Sequence, residues 1–132
     1  MKMSTRGRYA LRIMVDIAQN DKFGYVSIKN ISERQNISNK YIEQIISKLL
    51  KAGFLTVHRG HVGGYKLSKH PSEYKVGDII RVSEGDLNII DCTKDYDCPR
   101  KKICNTYQFW KGLDNTINEY VDSYTLEELL KR

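Results

Sequence analysis

The sequence predicts a mainly α-helical fold with one small β-hairpin, and two observations carry that prediction. Apolar residues recur at helical spacing in several segments of the 132-residue chain, and 40% of all residues are hydrophobic. A short apolar strand, a glycine-rich tip and a second strand follow one another at residues 54–67. The chain is therefore long and apolar enough for one small domain with an attached arm.

Three helices are expected before the hairpin. The first has its apolar positions within residues 9–18 and ends before Gly24, and Ser27 is a good N-cap for a short second helix. Ser38 can cap a third helix, and Gly53 follows that helix as a C′ residue. The apolar stripe of the third helix comprises Ile42, Ile45, Ile46, Leu49 and Leu50. The second and third helices, joined by about three residues, form a helix-turn-helix arrangement.

The exposed face of the third helix carries residue types that can contact DNA. This face holds Asn39, Lys40, Glu43, Gln44, Ser47 and Lys48. Glutamine can read adenine and glutamate can accept from cytosine N4, although an ordinary solvated helix face has the same composition. The hairpin that follows has Arg59 near a glycine-rich tip, suited to a narrow minor groove or a phosphate. A helix-turn-helix followed by such a hairpin is a winged helix, in which His58 and His61 are expected to face solvent or DNA.

Charge is distributed unevenly along the chain. Residues 1–66 contain 12 Lys and Arg against 4 Asp and Glu, a balance of +8, whereas residues 67–132 contain 10 against 12, a balance of −2. The first half therefore has the electrostatic character of a domain that meets a polyanion.

All three cysteines lie in one polar segment, at Cys92, Cys98 and Cys104. A step of six residues points the thiols in different directions on a helix and separates them by about 20 Å on a strand. If the thiols act together, the segment must be an irregular loop; the alternative is three independent cysteines in a flexible loop. An odd number of cysteines cannot form a complete disulfide set, so metal binding or thiol chemistry is the expected function.

The last third of the chain predicts a long amphipathic helix and a short terminal one. Residues 79–82 indicate a short helix that Gly85 closes, and large apolar residues then mark the long helix from Phe109 to Tyr124. Thr125 and Glu128 form a capping box for the final helix. A two-fold dimer through the long helix would cover its aromatic stripe; the alternative is that the helix folds back onto its own domain. The expected divisions are a winged helix-turn-helix domain at 1–85, a cysteine loop at 86–105 and a dimerisation helix with the short helix at 106–132.

Four motifs together resemble those of the IscR family of bacterial winged-helix regulators, which includes IscR, NsrR and CymR. They are S-T-R-G-R-Y-A at 4–10, I-S-E-R-Q-N-I-S at 31–38, Y-I-E-Q-I at 41–45 and R-G-H-V-G-G-Y-K-L at 59–67. The resemblance implies a homodimeric transcription regulator that binds a two-fold symmetric operator in double-stranded DNA. The candidate DNA-binding residues are Ser38, Asn39, Lys40, Tyr41, Glu43, Gln44, Lys48, Arg59 and His61.

The resemblance also implies a [2Fe–2S] or [4Fe–4S] cluster on Cys92, Cys98 and Cys104, because IscR and NsrR carry clusters on cysteines at this spacing and CymR lacks them. The fourth ligand is unassigned. Tyr107 stands where IscR has a histidine, and Arg8 stands where NsrR members can use an aspartate. A nearby Asp, a residue of the partner subunit, a small thiol or a water are the alternatives.

Other functions are weighed against this one. The same thiols could sense peroxide or nitric oxide by direct oxidation, or hold zinc, in a cluster-free regulator. A winged helix that binds a partner protein and no DNA is a further alternative. An enzyme is not expected, since no His or carboxylate is placed to activate a cysteine. No apolar run reaches the length of a membrane span and no signal peptide is recognised, so a cytoplasmic protein is expected.

Overall fold

The structure is a computed structural model that describes residues 2–61, 63–94 and 97–131. Val62 of the predicted hairpin tip, Asp95 and Tyr96 of the cysteine segment, and the chain ends at 1 and 132 lie outside the described residues. The elements are α1 (Thr5–Asn20), α2 (Ile28–Gln35), α3 (Asn39–Lys51), β1 (Leu55–His58), β2 (Gly64–Leu67), α4 (Val76–Glu84), α5 (Tyr107–Asp122) and α6 (Leu126–Leu129). The mainly α-helical fold with one antiparallel hairpin is confirmed.

The N-terminal winged domain is built around one apolar core. Helices α1, α2, α3 and α4 contribute the apolar stripes that the periodicity predicts, and most of these side chains are fully buried. Ser27 and Ser38 cap α2 and α3, and each side-chain hydroxyl accepts a backbone N–H of the first turn. Gly53 has a φ of 78° just after α3, a conformation that glycine adopts without steric cost. These local signals place the third helix across the domain with its polar face outward.

The wing is fixed to the start of α2 by a backbone bridge. Strands β1 and β2 pair from Leu55–Leu67 to His58–Gly64, and Val26 pairs with Tyr65 through N–H···O distances of 2.9 and 2.8 Å. A Cβ at Gly64 would lie 2.5 Å from the carbonyl oxygen of Val26, so this approach requires glycine.

Asp16 fixes α2 against α1 from inside the domain. Its carboxylate is 1% exposed and accepts hydrogen bonds from Arg34 at 2.7 and 2.9 Å and from Gln35 at 2.9 Å. The pKa of Arg34 is raised, chiefly by its hydrogen bond to Asp16. Asp16 lies outside the apolar stripe of α1, on a polar face that α2 covers.

The C-terminal segment runs along α4 and then returns to the core. Arg81 donates to both carboxylate oxygens of Asp122 in α5, at 2.8 and 3.1 Å, and to Asn118 at 2.6 Å. After α5, the chain forms a bridge between Lys75 and Thr125, and Leu126 of α6 is fully buried in the core of the winged domain. The final helix of the expected 106–132 unit thus packs with the N-terminal domain. Among the described residues, no helix is long and apolar enough to cross a membrane.

Candidate DNA interface and cysteine loop

The polar face of α3 is exposed as a continuous surface. All five predicted DNA contacts Asn39, Lys40, Glu43, Gln44 and Lys48 are exposed. All but Asn39 lie with Ser47 and Lys51 along one shallow cleft. Ser38 is also exposed, but its hydroxyl accepts the N–H of Tyr41 at 3.2 Å as the helix cap. The structure therefore brings the predicted residues of this helix together on one face.

Tyr41 has a different environment from the other predicted contacts. It is half-buried, its hydroxyl lies 2.8 Å from Oγ1 of Thr5, and its ring packs edge-on against Tyr9 at 5.5 Å. The guanidinium carbon of Arg12 lies 5.1 Å from the centre of the Tyr9 ring. Tyr41 thus connects the first turn of α3 to the start of α1. Sequence reasoning missed the role of Thr5, whose only signal was its place in the S-T-R-G-R-Y-A motif.

The two predicted DNA contacts of the wing lie beyond its strands. Arg59 and His61 are both exposed at the tip, as the sequence predicted. His58 is also exposed, but its ring stacks on Tyr25 with centroids 4.8 Å apart, and Lys66 lies 4.9 Å over the same tyrosine. His58, Tyr25 and Lys66 therefore form a small aromatic and basic cluster beside the strands.

The cysteine loop is irregular, as its composition predicted. Cys92 lies in the 3-10 turn Asp91–Thr93, Cys98 opens a series of turns, and Cys104 lies three residues before α5. All three thiols are free and half-exposed. Within the described part of the chain, no three His, Cys, Asp or Glu side chains are grouped as a metal site. The structure thus places the thiols in one loop without gathering them.

Cys104 has the most perturbed environment of the thiols. Its Sγ lies 3.3 Å from Oγ1 of Thr106, and this hydrogen bond is the main cause of a lowered pKa, with backbone hydrogen bonds and Arg100 adding to it. A lower pKa increases the thiolate fraction, which is the form that binds metal and reacts with oxidants. Tyr107, which stands where IscR has a histidine, begins α5, and the amino group of Lys101 lies 5.3 Å from the centre of its ring.

A buried carboxylate anchors the start of this loop to α5. Asp114 is 3% exposed and accepts from the backbone N–H of Ile89 at 2.9 Å and from the side chain of Asn88 at 3.3 Å. Asn88 also donates to the carbonyl and hydroxyl of Thr93, at 3.2 and 3.3 Å. These bonds hold both sides of Cys92 against the helix. No sequence signal predicts this role, because Asp114 has the pattern of an ordinary polar residue in an amphipathic helix.

The outer face of α5 carries aromatic side chains in solvent. Phe109 and Tyr120 are 64% and 63% exposed, and Tyr124 just beyond the helix is partly exposed. The opposite face contacts α4 through Asp122 and Asn118. One face of α5 therefore folds onto the winged domain and the other is uncovered in the single chain, while the dimer through α5 stays a prediction.

Comparisons with known proteins agree with this architecture along the whole chain. The profile of the Rrf2 family, described as an iron-dependent transcriptional regulator, matches residues 3–132. HTH-type transcriptional regulator IscR of Vibrio atlanticus is 37% identical over 131 residues, covering 99% of this chain and 76% of that protein.

Two solved structures have the same fold. CymR (YrzC), named the global cysteine regulator of B. subtilis, is 36% identical with a TM-score of 0.82, over 99% of this chain and 97% of CymR. T. potens IscR is 42% identical with a TM-score of 0.78, over 99% of this chain and 87% of that one. The chain therefore belongs to the Rrf2 family of DNA-binding transcriptional regulators.

Proposed function

We propose that this protein is a homodimeric regulator whose binding to operator DNA is controlled by an iron–sulfur cluster on Cys92, Cys98 and Cys104. The observation that carries the proposal is the position of the loop. Three free, half-exposed thiols lie in one segment that Asp114 holds against α5, the helix with an uncovered aromatic face. A change in the loop would therefore act on the helix whose exposed face is expected to join two subunits.

The proposed DNA contacts follow from the exposed surfaces. The outward face of α3 would enter the major groove, where Glu43 and Gln44 are exposed and able to reach base edges. Lys40 and Lys48 flank them and suit phosphates, and Arg59 on the wing suits the adjacent minor groove. Ser38, Asn39, Tyr41 and His61 complete the proposed interface.

The proposed dimer rests on the outer face of α5. Large aromatic side chains are rarely left in solvent as a contiguous patch unless they meet a partner. A two-fold axis through α5 would cover Phe109 and Tyr120 and would present two α3 helices to two half-sites.

The donor set fits an iron–sulfur cluster in its chemistry. Cysteine thiolates are the usual ligands of such clusters, and the lowered pKa of Cys104 favours its thiolate form. The exposed cations Arg100, Lys101 and Lys102 lie in the same loop and would offset thiolate charge. When bound, the cluster would supply a centre sensitive to oxidants, nitric oxide and iron supply. Because the three thiols are not grouped, they would hold it only after the loop closes, and the fourth ligand stays unassigned.

Anaerobic purification tests the cluster. We expect brown protein with broad absorption near about 400 nm and roughly equal iron and acid-labile sulfide. Cys92→Ala should lose iron and sulfide together while remaining a dimer in sedimentation. Ser123→Ala, an exposed small-residue change outside the loop, is the control. Normal iron and sulfide in the Cys92 variant would disprove shared ligation.

A cluster-free regulator is the second candidate, and two observations favour it. CymR, the family member named a cysteine regulator, has a TM-score of 0.82 with this chain, and the described residues hold no grouped metal site. In that case the thiols would be oxidised directly. Holding zinc would require the three thiols to come together, as a cluster would. Colourless anaerobic protein with three titratable thiols would select thiol sensing, and stoichiometric zinc without sulfide would select the zinc form.

Selection of operator sequences from randomised duplex DNA tests the reading helix. Glu43→Ala should relax base preference at one position in each half-site more than it lowers overall affinity. Lys40→Ala is the control, because loss of a phosphate contact should weaken all sequences alike. Uniform weakening by Glu43→Ala would argue against a base-reading role.

A further inference from the structure

A small cavity lies between the helix proposed to read DNA and the body of the domain. Its volume is about 60 Å³, and it forms where the first turn of α1, the middle of α3 and the end of α4 meet. The lining residues are Arg6, Tyr41, Gln44, Ile45, Lys48 and Ser83. Two of them, Gln44 and Lys48, also belong to the exposed face of α3, so the cavity opens next to the proposed DNA interface.

Ser83 gives this cavity a polar group in need of a partner. The residue is 4% exposed, and its Oγ is buried without a hydrogen-bond partner among the described residues. Buried hydroxyl groups in folded proteins are nearly always hydrogen-bonded, so an unpaired one lining a cavity points to an occupant. The occupant must be polar and must fit a volume of a few atoms.

The charges around the cavity favour an anion. Arg6 and Lys48 contribute two cations, and Gln44 adds an amide donor, while no acidic side chain lines the cavity within the described residues. The carboxylate of Glu84, the residue after Ser83, interacts with the charge of Arg6, but it does not line the cavity and accepts the backbone N–H of Ser4 at 2.7 Å. Arg6 is in the first turn of α1, where the helix dipole adds partial positive charge.

We propose that this cavity binds a phosphate group, with the Ser83 hydroxyl donating to a phosphate oxygen and Arg6 and Lys48 balancing its charge. The size, the unpaired donor and the cationic lining all suit one tetrahedral oxyanion. The phosphate has two sources: the backbone of bound DNA beside α3, or free inorganic phosphate. The first source rests on the proposed function, and the second does not.

Binding to a duplex of random sequence tests the DNA source. Ser83→Ala should lower affinity roughly tenfold, the effect of one hydrogen bond to a charged group, without changing how affinity depends on salt. Arg6→Gln should also weaken binding but should reduce the salt slope by about one. Ser72→Ala, an exposed serine outside the cavity, is the matched control. Ser83→Ala should fold as well as the wild type, because it removes only an unpaired hydroxyl, and thermal melts verify this.

Titration with inorganic phosphate, against chloride at matched ionic strength, tests the free-anion source by amide NMR shifts of residues 44 and 83. If Ser83→Ala abolishes phosphate-specific shifts, the site is supported whether or not the affinity for DNA also falls. If the affinity for DNA is then unchanged, the site is assigned to the free anion. A tenfold DNA effect without such shifts assigns it to backbone phosphate. If neither the shifts nor the loss of DNA affinity is observed, the cavity holds only water and the proposal is wrong. Wild-type protein that binds no duplex DNA would instead contradict the proposed function and leave the phosphate titration decisive for the cavity.

Discussion

The winged domain and the C-terminal arm are held together by different interactions. The winged domain has a continuous apolar core in which side chains such as Ile13, Ile46 and Leu49 are fully buried. In α5 the buried residue is the carboxylate Asp114, and the large aromatic side chains point outward. Apolar burial is the dominant stabilising term in folding, so the first region is stabilised mainly by this core, to which Leu126 of α6 also contributes, while α5 relies on polar anchors. The difference leaves the outer aromatic face of α5 uncovered in the single chain, and the proposed dimer contact lies on this face.

The largest expected effect tests the apolar core of the winged domain. Leu49→Ala should lower the free energy of unfolding by about 3 kcal/mol, because it opens a cavity where a side chain has no solvent exposure. Denaturant unfolding monitored by circular dichroism measures this. A loss below about 1 kcal/mol would contradict a tightly packed core around α3.

The next effect tests whether the arm is completed by a second subunit. Phe109→Ser should weaken dimerisation roughly thirtyfold and barely change the secondary structure of the subunit, because the ring is mainly in solvent. Sedimentation equilibrium measures it, with Glu119→Gln, an exposed polar change on the same helix, as control. An unchanged association constant would mean that α5 is not the dimer contact.

A smaller effect tests the polar anchor of the arm. Asp114→Asn keeps the shape but replaces one acceptor oxygen with a donor, so it should cost about 1–2 kcal/mol and leave either Ile89 or Asn88 unpaired. Hydrogen exchange of residues 88–94 should accelerate, whereas Asn115→Asp, an exposed change next door, should leave it unchanged. Equal exchange rates in both variants would contradict an anchoring role for Asp114.

The smallest expected effect is a pH dependence at the contact between α4 and α1. The pKa of Glu84 is lowered, mainly by the hydrogen bond from the Ser4 side chain. The folded state therefore binds the proton less tightly than the unfolded state, and the stabilisation is present above the unfolded pKa of about 4.3 and lost as the pH falls below it. Glu84→Gln should cost under about 1 kcal/mol at neutral pH, since the group is partly solvated, and the difference should shrink in acid. A difference independent of pH would exclude the charge as its source.

Local signals explain why much of the winged domain could be predicted. The caps at Ser27 and Ser38 and the capping box of Thr125 with Glu128 depend on residues within three positions of each other, and all are observed. The apolar stripe of α3 depends on helical periodicity alone. Such features are visible in a single sequence because their partners are close in the chain.

The remaining features depend on distant partners. Asp16 meets Arg34 eighteen positions away, and Asp114 meets Ile89 across 25 positions. Neither pairing has a periodic signal, so a buried carboxylate looks the same in sequence as a solvated one. The three cysteines were recognisable as a set from their spacing, but spacing does not determine whether their sulfurs meet.

The bridge between Val26 and Tyr65 has a consequence for the operator. Val26 directly precedes the cap of α2, so the bridge ties the strands of the wing to the helix-turn-helix and limits how far the two can move apart. If α3 and Arg59 bind neighbouring grooves as proposed, the number of base pairs between their contacts in each half-site is set by this bridge. An operator with one base pair inserted between those contacts can bind α3 or Arg59 in its groove, but not both.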